Sequence, residues 1–307
     1  MNAVGAGAAP RGALVRMVVG AALISTTAIF VRYAHVAPTV SAFYRVAFGG
    51  AMLALLLLMR RQWRGLAWTD ALWLVLPAFA FAVDLIIWHR SIQLIGPGLA
   101  TLIGNFQVFV MALAGVVFYR ERLGWRFAAG VALAIFGLWL LVGTGWHGLT
   151  ADYRFGVLLG VLTGIAYAIY MLSMRQAQLR RSALTPERTL CVTSLLCAAM
   201  LAIAVLGEGQ SFAIPDAQSW SALLLLGFVG QVLGWVLIAR AMPLLPASTV
   251  GLLLLLQPAL SFALDVALFA RPASTSDWIG LALSLLGIFV ASQRGRRPAA
   301  EAGRRSA

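Results

Sequence analysis

The chain has 307 residues, of which 62% are hydrophobic and only 11% are charged. A soluble domain carries about 25% charged residues, so this composition excludes both a water-soluble globule and a disordered chain. The net charge is +13, but the basic residues, all of them arginine, fall in short clusters between apolar runs. This distribution favours a membrane protein and argues against a nucleic-acid-binding protein.

Ten apolar runs are long enough to cross the hydrocarbon core, which takes about 20 residues of helix. The connections are too short to hold a soluble domain, so we predict an all-α integral membrane protein. In chain order the predicted spans one to ten are Leu14–Tyr33, Thr39–Met59, Ala71–Leu94, Gly98–Tyr119, Trp125–Gly143, Arg154–Met174, Thr189–Leu206, Trp220–Ala241, Ala247–Ala270 and Trp278–Gln293. The two ends, residues 1–12 and the Arg-rich residues 294–307, are predicted to be flexible.

The arginines indicate how the chain is threaded. With the N-terminus in the cytoplasm, most arginines fall at the cytoplasmic ends of the spans, and the opposite loops hold acids: Asp152, Glu208, Asp216 and Asp277. The positive-inside rule therefore places both termini in the cytoplasm. An even number of spans requires the two termini to lie on the same side.

The chain resembles itself at an offset of 150 residues. The informative matches are polar residues and glycines: Arg90 with Arg240, Gln107 with Gln257, Gly130 with Gly280, and Gly137 with Gly287. The halves, residues 13–145 and 152–293, hold five predicted spans each, so the second half enters the membrane in the opposite direction. Inverted repeats of this kind are typical of secondary transporters, whose substrate site lies near the midplane between the halves.

Several short segments resemble one transporter family. They are residues 42–46 (AFYRV), 88–92 (WHRSI) followed by 98–100 (GLA), 118–123 (FYRERL) followed by Gly130 and Gly137, and 256–258 (LQP). Over residues 14–293 the chain resembles the EamA-type branch of the drug/metabolite transporter superfamily. Within that branch it is most similar to the YddG-type amino-acid exporters of bacterial inner membranes. The resemblance implies ten helices in two five-helix repeats and a location in the bacterial inner membrane.

Two positions depart from the family pattern. Family members often have proline in both span four and span nine, but here Pro258 has Val108 as its counterpart. The glutamate that closes the first repeat is Glu121, and the second repeat has Arg271 in its place. We therefore expect that the two halves need not move alike.

Polar and aromatic residues near the middle of several spans predict a substrate cavity. Uncharged hydrogen-bonding groups can satisfy an ammonium and a carboxylate, and aromatic faces can cover an apolar side chain. The alternative for each polar residue is ordinary hydrogen bonding between helices. The predicted substrate-binding residues are Ser25, Thr26, His89, Asn105, Gln107, Tyr167, Tyr170, Gln231, Trp235 and Gln257.

Ionisable residues within spans are expensive in lipid and therefore informative. Asp84 and Asp265 are candidates for proton coupling, because a buried carboxyl can load and release a proton; the alternative is a hydrogen bond between helices. Arg45 is expected to reach the outer headgroups or to pair with an acid. Cys191 and Cys197 share one apolar run, so we expect no disulfide framework, no metal and no cofactor.

These observations predict a secondary transporter that exports amino acids, including aromatic or hydrophobic ones, and related small metabolites. It would work by alternating access, driven by a gradient, with or without a proton. The expected partners are the small-molecule substrate and the lipid bilayer, and the chain is expected to be a monomer or a weak homodimer. The three glycines Gly156, Gly160 and Gly164, spaced four residues apart, could serve either a contact within the bundle or a dimer seam.

Three other functions make different requirements of the sequence. A multidrug exporter of organic cations needs an acid in its cavity, which Asp84 could supply. A membrane enzyme that handles lipid-borne groups needs a catalytic cluster at the interface, which the short loops do not offer. A non-transporting structural subunit leaves the inverted repeat without a purpose.

Overall fold

The computed structural model describes residues 11–61, 68–119, 124–143, 146–180, 185–245 and 247–292. Within these residues ten helical spans are long and apolar enough to cross a membrane, which confirms the predicted all-α class and span number. We number them span 1 to span 10: Arg11–Tyr33, Pro38–Met59, Trp68–Ile95, Pro97–Val117, Trp125–Gly143, Ala151–Arg180, Pro186–Gly207, Ala217–Ile238, Thr249–Phe269 and Thr275–Ser292. The ends predicted to be flexible lie outside the described residues, except that residues 11 and 12 begin the first helix.

Four spans are single uninterrupted helices, namely spans 2, 6, 7 and 10. The other six are built from shorter pieces. Span 5 runs from the helix Trp125–Leu138 into a π-helical turn, Trp139–Gly143, and span 8 contains the π-helical stretch Leu226–Leu233 between Ala217–Leu225 and Gly234–Ala241. Spans 1, 3, 4 and 9 divide into Arg11–Ser25 and Thr27–Tyr33, Trp68–Leu72 and Val75–Ile95, Pro97–Gly104 and Gln107–Tyr119, and Ala247–Leu254 and Leu256–Phe269.

The spans pack mainly in pairs that join the first five spans to the last five. Span 1 packs against span 8, span 2 against span 7, span 3 against span 6, span 4 against span 9, and span 5 against span 10. Exchanging every span for the one five places away in the chain leaves this set of pairs unchanged. The two halves are therefore interleaved, and the space at the centre of the bundle lies between them.

Spans 5 and 10 cross at four glycines. Gly130 lies against Gly287 and Gly137 lies against Gly280, so the two helices run antiparallel. A Cβ atom on Gly287 would lie 2.5 Å from the Gly130 carbonyl oxygen, and one on Gly280 would lie 2.7 Å from that of Gly137. Only glycine allows the two backbones to approach this closely, which is how small residues support helix packing in lipid.

Spans 2 and 7 also run antiparallel. The sulfur of Cys191, in the first third of span 7, approaches the carbonyl oxygen of Gly50, just past the middle of span 2, at 3.7 Å. Towards the beginning of span 2, Thr39 donates a hydrogen bond to Glu208, which follows the end of span 7. The long axes of the two helices therefore lie side by side over most of their length.

The glycine run of span 6 packs inside the bundle. A Cβ atom on Gly156 would meet the side chains of Leu94 and Ile95, and one on Gly160 would meet Ile103. A Cβ atom on Gly164 would lie 3.2 Å from the backbone nitrogen of Gln107 in span 4. Of the two uses predicted for this run, the structure places it in a contact within the bundle.

The outer surface of the bundle carries large apolar side chains. Ile203 is 71% exposed and Val117 is 64% exposed, and many Leu, Phe and Trp side chains on other spans are similarly uncovered. A soluble protein rarely exposes so much contiguous apolar surface. This surface is suited to the hydrocarbon core of a bilayer, where lipid tails would cover it.

Candidate functional site

A cavity of about 120 Å3 lies between the two halves. Its walls come from spans 1, 2, 3, 4, 6, 8 and 9, so neither half forms it alone. The lining combines charged, neutral polar and aromatic side chains with a few aliphatic ones. It consists of Ile24, Thr27, Arg45, Phe81, Asp84, Leu85, Trp88, Thr101, Gly104, Asn105, Gln107, Thr163, Tyr167, Tyr170, Trp235 and Gln257.

Two helix breaks lie beside the cavity at positions related by the 150-residue offset. Span 4 is interrupted at Asn105 and Phe106, and span 9 is interrupted at Leu255. In span 4 the Asn105 side chain donates a hydrogen bond to the carbonyl of Thr101 at 2.8 Å, within its own helix. In span 9 Pro258 has no N–H to continue the helical ladder. Span 4 therefore breaks without the proline that family members often have there.

The breaks bring the two repeat-related glutamines, Gln107 and Gln257, to the cavity wall. Each glutamine lies just after the break in its span. Broken helices are tolerated at membrane depth only where protein or a water-filled cavity surrounds the freed backbone groups. The breaks and the cavity therefore belong together.

The cavity contains two ionisable side chains of opposite kind, a guanidinium and a carboxyl group. Arg45 is 7% exposed, and its guanidinium lies over the Trp88 ring, 5.2 Å from the ring centroid. Asp84 is 4% exposed and is attracted to Arg45. The Arg45 Nε and the Asp84 Oδ1 are buried and have no hydrogen-bond partner among the described residues. Arg45 therefore does not reach the headgroups, which corrects one of the two expectations for it.

Two neutral groups on the wall are also unsatisfied. Gln107 Oε1 and Thr163 Oγ1 are buried and have no hydrogen-bond partner within the part of the chain that the structure describes. Leaving a buried polar group unpaired costs about 1–3 kcal/mol. The cavity therefore offers donors and acceptors to whatever fills it, water or a solute.

Aromatic rings form the apolar part of the wall. Phe81 and Tyr170 stack with their centroids 4.6 Å apart and their planes 18° from parallel. Tyr167 packs on Tyr170 at 5.5 Å, and Trp88 and Trp235 complete the aromatic lining. Flat faces of this kind can cover an aliphatic or aromatic group, and they can also attract a cation.

Of the twelve residues predicted to bind substrate or couple protons, seven line this one cavity. They come from spans 3, 4, 6, 8 and 9, which the sequence alone does not bring together. They are Asp84, Asn105, Gln107, Tyr167, Tyr170, Trp235 and Gln257.

Three more predicted residues lie near the cavity but do not line it. Ser25 and Thr26 donate hydrogen bonds to the carbonyls of Ala22 and Leu23, one turn back in their own helix. His89 is fully buried, and its Nδ1 is hydrogen-bonded to Ser41 Oγ at 2.7 Å. The hydrogen bonds of Ser25 and Thr26 are local to span 1, and that of His89 joins span 3 to span 2.

The last two predicted residues hold helices together. Gln231 is fully buried and donates a hydrogen bond to Ser194 at 2.9 Å, which joins span 8 to span 7. Asp265 is 2% exposed and accepts a hydrogen bond from the backbone N–H of Gly98, at the start of span 4. It also contacts Arg271 at 3.3 Å.

Several lining residues were not among the predicted substrate-binding residues: Thr27, Arg45, Trp88, Thr101 and Thr163. Thr163 could have been found, because it precedes Tyr167 by four positions and Tyr170 by seven and so shares their helix face. Thr27 lies beside the predicted Ser25 and Thr26, at the break in span 1. Neither its type nor its position alone distinguishes it from them.

One end of the bundle is closed by polar contacts between the halves. We call this region, residues 34–37, 208–216 and 270–274, the closed end. Glu208 accepts hydrogen bonds from both Arg90 and Thr39, and the Tyr44 hydroxyl donates to the carbonyl of Phe212 at 2.6 Å. Each of these contacts joins the first half of the chain to the second half.

Arg271 adds a further contact at the closed end. It donates hydrogen bonds to the carbonyl of Ile95 at 2.9 Å and to the hydroxyl of Tyr153 at 3.3 Å, besides its contact with Asp265. The departure from the family pattern at this position thus places a cation where it ties span 9 to spans 3 and 6.

Asp216 caps the first helix of span 8 at the closed end. Its carboxylate accepts a hydrogen bond from the Ser219 backbone N–H at 2.7 Å, and it also pairs with His35 at 2.8 Å. The Ser219 hydrogen bond, followed by that of His35, holds the pKa of Asp216 below its ordinary value. The carboxylate therefore stabilises the folded chain above the ordinary pKa of aspartate, and the effect is lost as the pH falls through the lowered pKa.

Asp216→Ala is expected to lower the melting temperature at pH 7, because it removes the helix cap and the contact with His35. The difference from the wild type should shrink as the pH falls below the ordinary aspartate pKa of about 3.9 and through the lowered pKa of Asp216. Thermal unfolding in detergent across this pH range measures it, with Asp152→Ala, an exposed acid in the first turn of span 6, as the control. A melting temperature of Asp216→Ala that equals the wild-type value at pH 7, or that differs from it by the same amount at every pH, would contradict the capping role of Asp216.

Comparison with known proteins gives two matches to the same family. The EamA-like transporter family matches residues 12–143 and again residues 154–293. The chain is 26% identical over 257 residues to YwfM, an uncharacterized transporter of Bacillus subtilis (strain 168), covering 83% of this chain and 84% of that protein. A 69-residue stretch is 29% identical to ArnE of Photorhabdus laumondii subsp. laumondii, named as a probable 4-amino-4-deoxy-L-arabinose-phosphoundecaprenol flippase subunit; it covers 22% of this chain and 61% of that protein.

A solved crystal structure, described simply as that of a protein, has the same fold. It superposes with a TM-score of 0.64 at 19% identity, covering 92% of this chain and 97% of that chain. The two family matches span most of the chain and include all the lining residues of the cavity. The chain therefore belongs to the EamA-like transporter family.

Proposed function

We propose that this transporter is a secondary carrier that exports amino acids and related small metabolites across the bacterial inner membrane by alternating access. The observation that carries the proposal is the cavity between the halves, which combines two opposite charges, unsatisfied neutral polar groups and aromatic faces. An amino acid is complementary to this lining, because it carries a carboxylate, an ammonium and, for many, an apolar side chain.

Alternating access requires two halves that can exchange roles, and the proposal includes an inverted repeat of residues 13–145 and 152–293. The antiparallel packing of span 2 on span 7 and of span 5 on span 10 supports it. So does the crosswise contact of Gly130 with Gly287 and of Gly137 with Gly280, since Gly130 matches Gly280, and Gly137 matches Gly287, at the 150-residue offset. A two-fold axis in the membrane plane would relate the halves.

The arginine distribution assigns the closed end to the outer face, with both termini in the cytoplasm. The contacts of Glu208, Tyr44 and Arg271 then close the cavity on the outside. In the carrier cycle these contacts would break when the cavity opens outward. Asp84 is the candidate for proton coupling because it lines the cavity, whereas Asp265 is held by Gly98 and Arg271.

The amino-acid specificity rests on the resemblance to the YddG-type exporters together with the chemistry of the cavity. The competing function is a multidrug exporter of organic cations, for which Asp84 would be the counter-ion. Arg45 lies in the same cavity and would repel a cation. The pair of opposite charges therefore favours amino acids, with the Phe81, Tyr167 and Tyr170 wall suited to hydrophobic and aromatic side chains.

The purified protein in liposomes loaded with labelled amino acids tests the proposal directly. Efflux of leucine, phenylalanine or another hydrophobic amino acid should exceed efflux from liposomes that are loaded in the same way but contain no protein. Running the assay with and without a pH gradient decides whether a proton is coupled. Failure to move any amino acid, together with movement of organic cations, would favour the competing function.

Two cavity residues are expected to be needed for efflux. Gln107→Ala removes a polar group of the wall, which we expect to slow efflux about fivefold, in line with a lost hydrogen bond of roughly 1 kcal/mol. Trp235→Ala removes an aromatic face and is expected to slow it about tenfold, roughly 1.4 kcal/mol. Initial efflux rates at matched protein content measure both.

The matched controls for these variants lie on the surface of the bundle. They are Gln178→Ala on span 6 and Trp68→Ala on span 3, where the Trp68 side chain is 79% exposed. Both controls should retain wild-type efflux. Wild-type rates in Gln107→Ala and Trp235→Ala as well would mean that substrate does not pass through this cavity.

A further inference from the structure

We infer that Arg45 and Asp84 form a two-charge site that binds the two ends of a zwitterion. Arg45 receives the carboxylate of an α-amino acid, Asp84 receives its ammonium, and the apolar side chain lies against the aromatic wall. This inference rests on the proposed function and deepens it, because it names the residues that select the substrate class. The sequence pattern predicted uncharged groups for this task and did not place Arg45 in the site.

Both ionisable side chains are buried, and each has a polar atom without a hydrogen-bond partner in the described part of the chain. Arg45 is 7% exposed and Asp84 is 4% exposed, yet Nε of the first and Oδ1 of the second have no hydrogen-bond partner among the described residues. A buried charge is costly unless it is both paired and hydrogen-bonded. A ligand that carries a carboxylate and an ammonium supplies both missing partners at once.

Arg45 packs against an aromatic ring of the cavity wall. Its guanidinium lies over the face of Trp88, 5.2 Å from the ring centroid. A cation–π contact of this kind attracts the guanidinium to the ring face. The Nε donor of the guanidinium has no hydrogen-bond partner within the described ranges. A planar fork of N–H donors matches the two oxygens of a carboxylate, so the site is prepared for that group before it arrives.

Two neutral polar groups line the same cavity as Arg45 and Asp84. Gln107 Oε1 is an unsatisfied acceptor, which suits the remaining N–H groups of an ammonium. Thr163 Oγ1 is an unsatisfied hydroxyl, which can donate to a carboxylate or accept from an ammonium. An ammonium has three donors and a carboxylate about four acceptor positions, so a two-charge site needs such additional partners.

A site with both charges selects its ligand by charge. A cation gains the attraction of Asp84 but meets the repulsion of Arg45, and an anion meets the reverse. Only a ligand with both charges, placed in one orientation, gains both attractions. The site therefore discriminates an amino acid from an amine or a carboxylic acid that has the same side chain.

A competition experiment in proteoliposomes tests this selectivity. Exchange of labelled phenylalanine is measured against unlabelled phenylalanine, its methyl ester, phenethylamine and 3-phenylpropionate. For the wild type we expect the three analogues, each lacking one charge, to compete at least about tenfold more weakly than phenylalanine, or roughly 1.4 kcal/mol. Equal competition by the methyl ester or by 3-phenylpropionate would overturn the inference.

The variants assign the two charges. Arg45→Gln should weaken the binding of phenylalanine and remove the preference for phenylalanine over its methyl ester. Asp84→Asn should weaken the binding of phenylalanine and remove the preference for phenylalanine over 3-phenylpropionate. Arg126→Gln and Asp152→Asn change exposed residues of the same kinds and should leave the competition profile unchanged. Variants at Arg45 and Asp84 that keep the wild-type profile would contradict the assignment.

The inference and the proposed function fail in different ways. If the wild type exchanges no amino acid, the proposed function fails. If the wild type exchanges phenylalanine but does not distinguish it from its one-charge analogues, only the two-charge site fails. The wild-type competition profile needs no variant, so a variant that does not fold leaves this test intact.

Discussion

Replacing Gly287 with valine is expected to prevent the bundle from assembling. An added Cβ would lie 2.4 Å from the amide nitrogen of Ala134 and 2.5 Å from the carbonyl oxygen of Gly130, both backbone atoms that cannot move aside. Spans 5 and 10 would have to separate, and overpacking alone costs about 1–3 kcal/mol or more. The measurement is the fraction of monodisperse protein after detergent extraction, together with its melting temperature.

Gly207→Val is the matched control for this variant. Gly207 ends span 7, and a Cβ there would meet nothing within 4 Å. This control should extract and melt like the wild type. If Gly287→Val also behaved like the wild type, the close approach of spans 5 and 10 would be wrong, and with it the strongest contact between repeat-related helices.

Arg271→Met is expected to destabilise the protein by roughly 3–5 kcal/mol, because it leaves the buried Asp265 carboxylate without its cation. The Asp265 side chain is only 3% exposed, and Arg271 also holds the carbonyl of Ile95. Combining Arg271→Met with Asp265→Asn should recover much of the loss, since the second change removes the uncompensated charge. Thermal unfolding of the single and double variants measures the two effects.

Arg126→Met, at an exposed position on span 5, is the control for loss of an arginine as such. A double variant no more stable than Arg271→Met alone would argue that the ion pair is not what stabilises the closed end. In that case the hydrogen bonds of Arg271 to Ile95 and Tyr153 would carry the effect instead.

The spans could be predicted from the sequence because the bilayer imposes one simple requirement. A helix that crosses hydrocarbon must satisfy its backbone internally, so the length of an apolar run nearly determines the element. The interruptions inside the spans were harder to predict. Pro258 gives a chemical reason for a break in span 9, but the matching break in span 4 depends on Asn105 bonding to its own helix.

The side chains that line the cavity could be predicted only in part. Asn105, Gln107 and Gln257 were found because neutral polar groups are rare at membrane depth. Gln231 was predicted to line the cavity and does not, whereas Arg45 was not predicted to line it and does. A helix that is apolar around its whole circumference carries no signal for which side faces a cavity. That orientation is determined by neighbouring helices, as in the contact of Gln231 with Ser194.

The measurement that tests the central claim most directly is the accessibility of one cavity residue from each side of the membrane. Cys191 and Cys197 are fully buried, so Asn105→Cys can be labelled over a low background with a membrane-impermeant maleimide. We predict labelling from the cytoplasmic side when no amino acid is present, and from the outer side as well once amino-acid exchange is running. Labelling confined to the same single side under both conditions would contradict a carrier that opens its cavity alternately to the two sides.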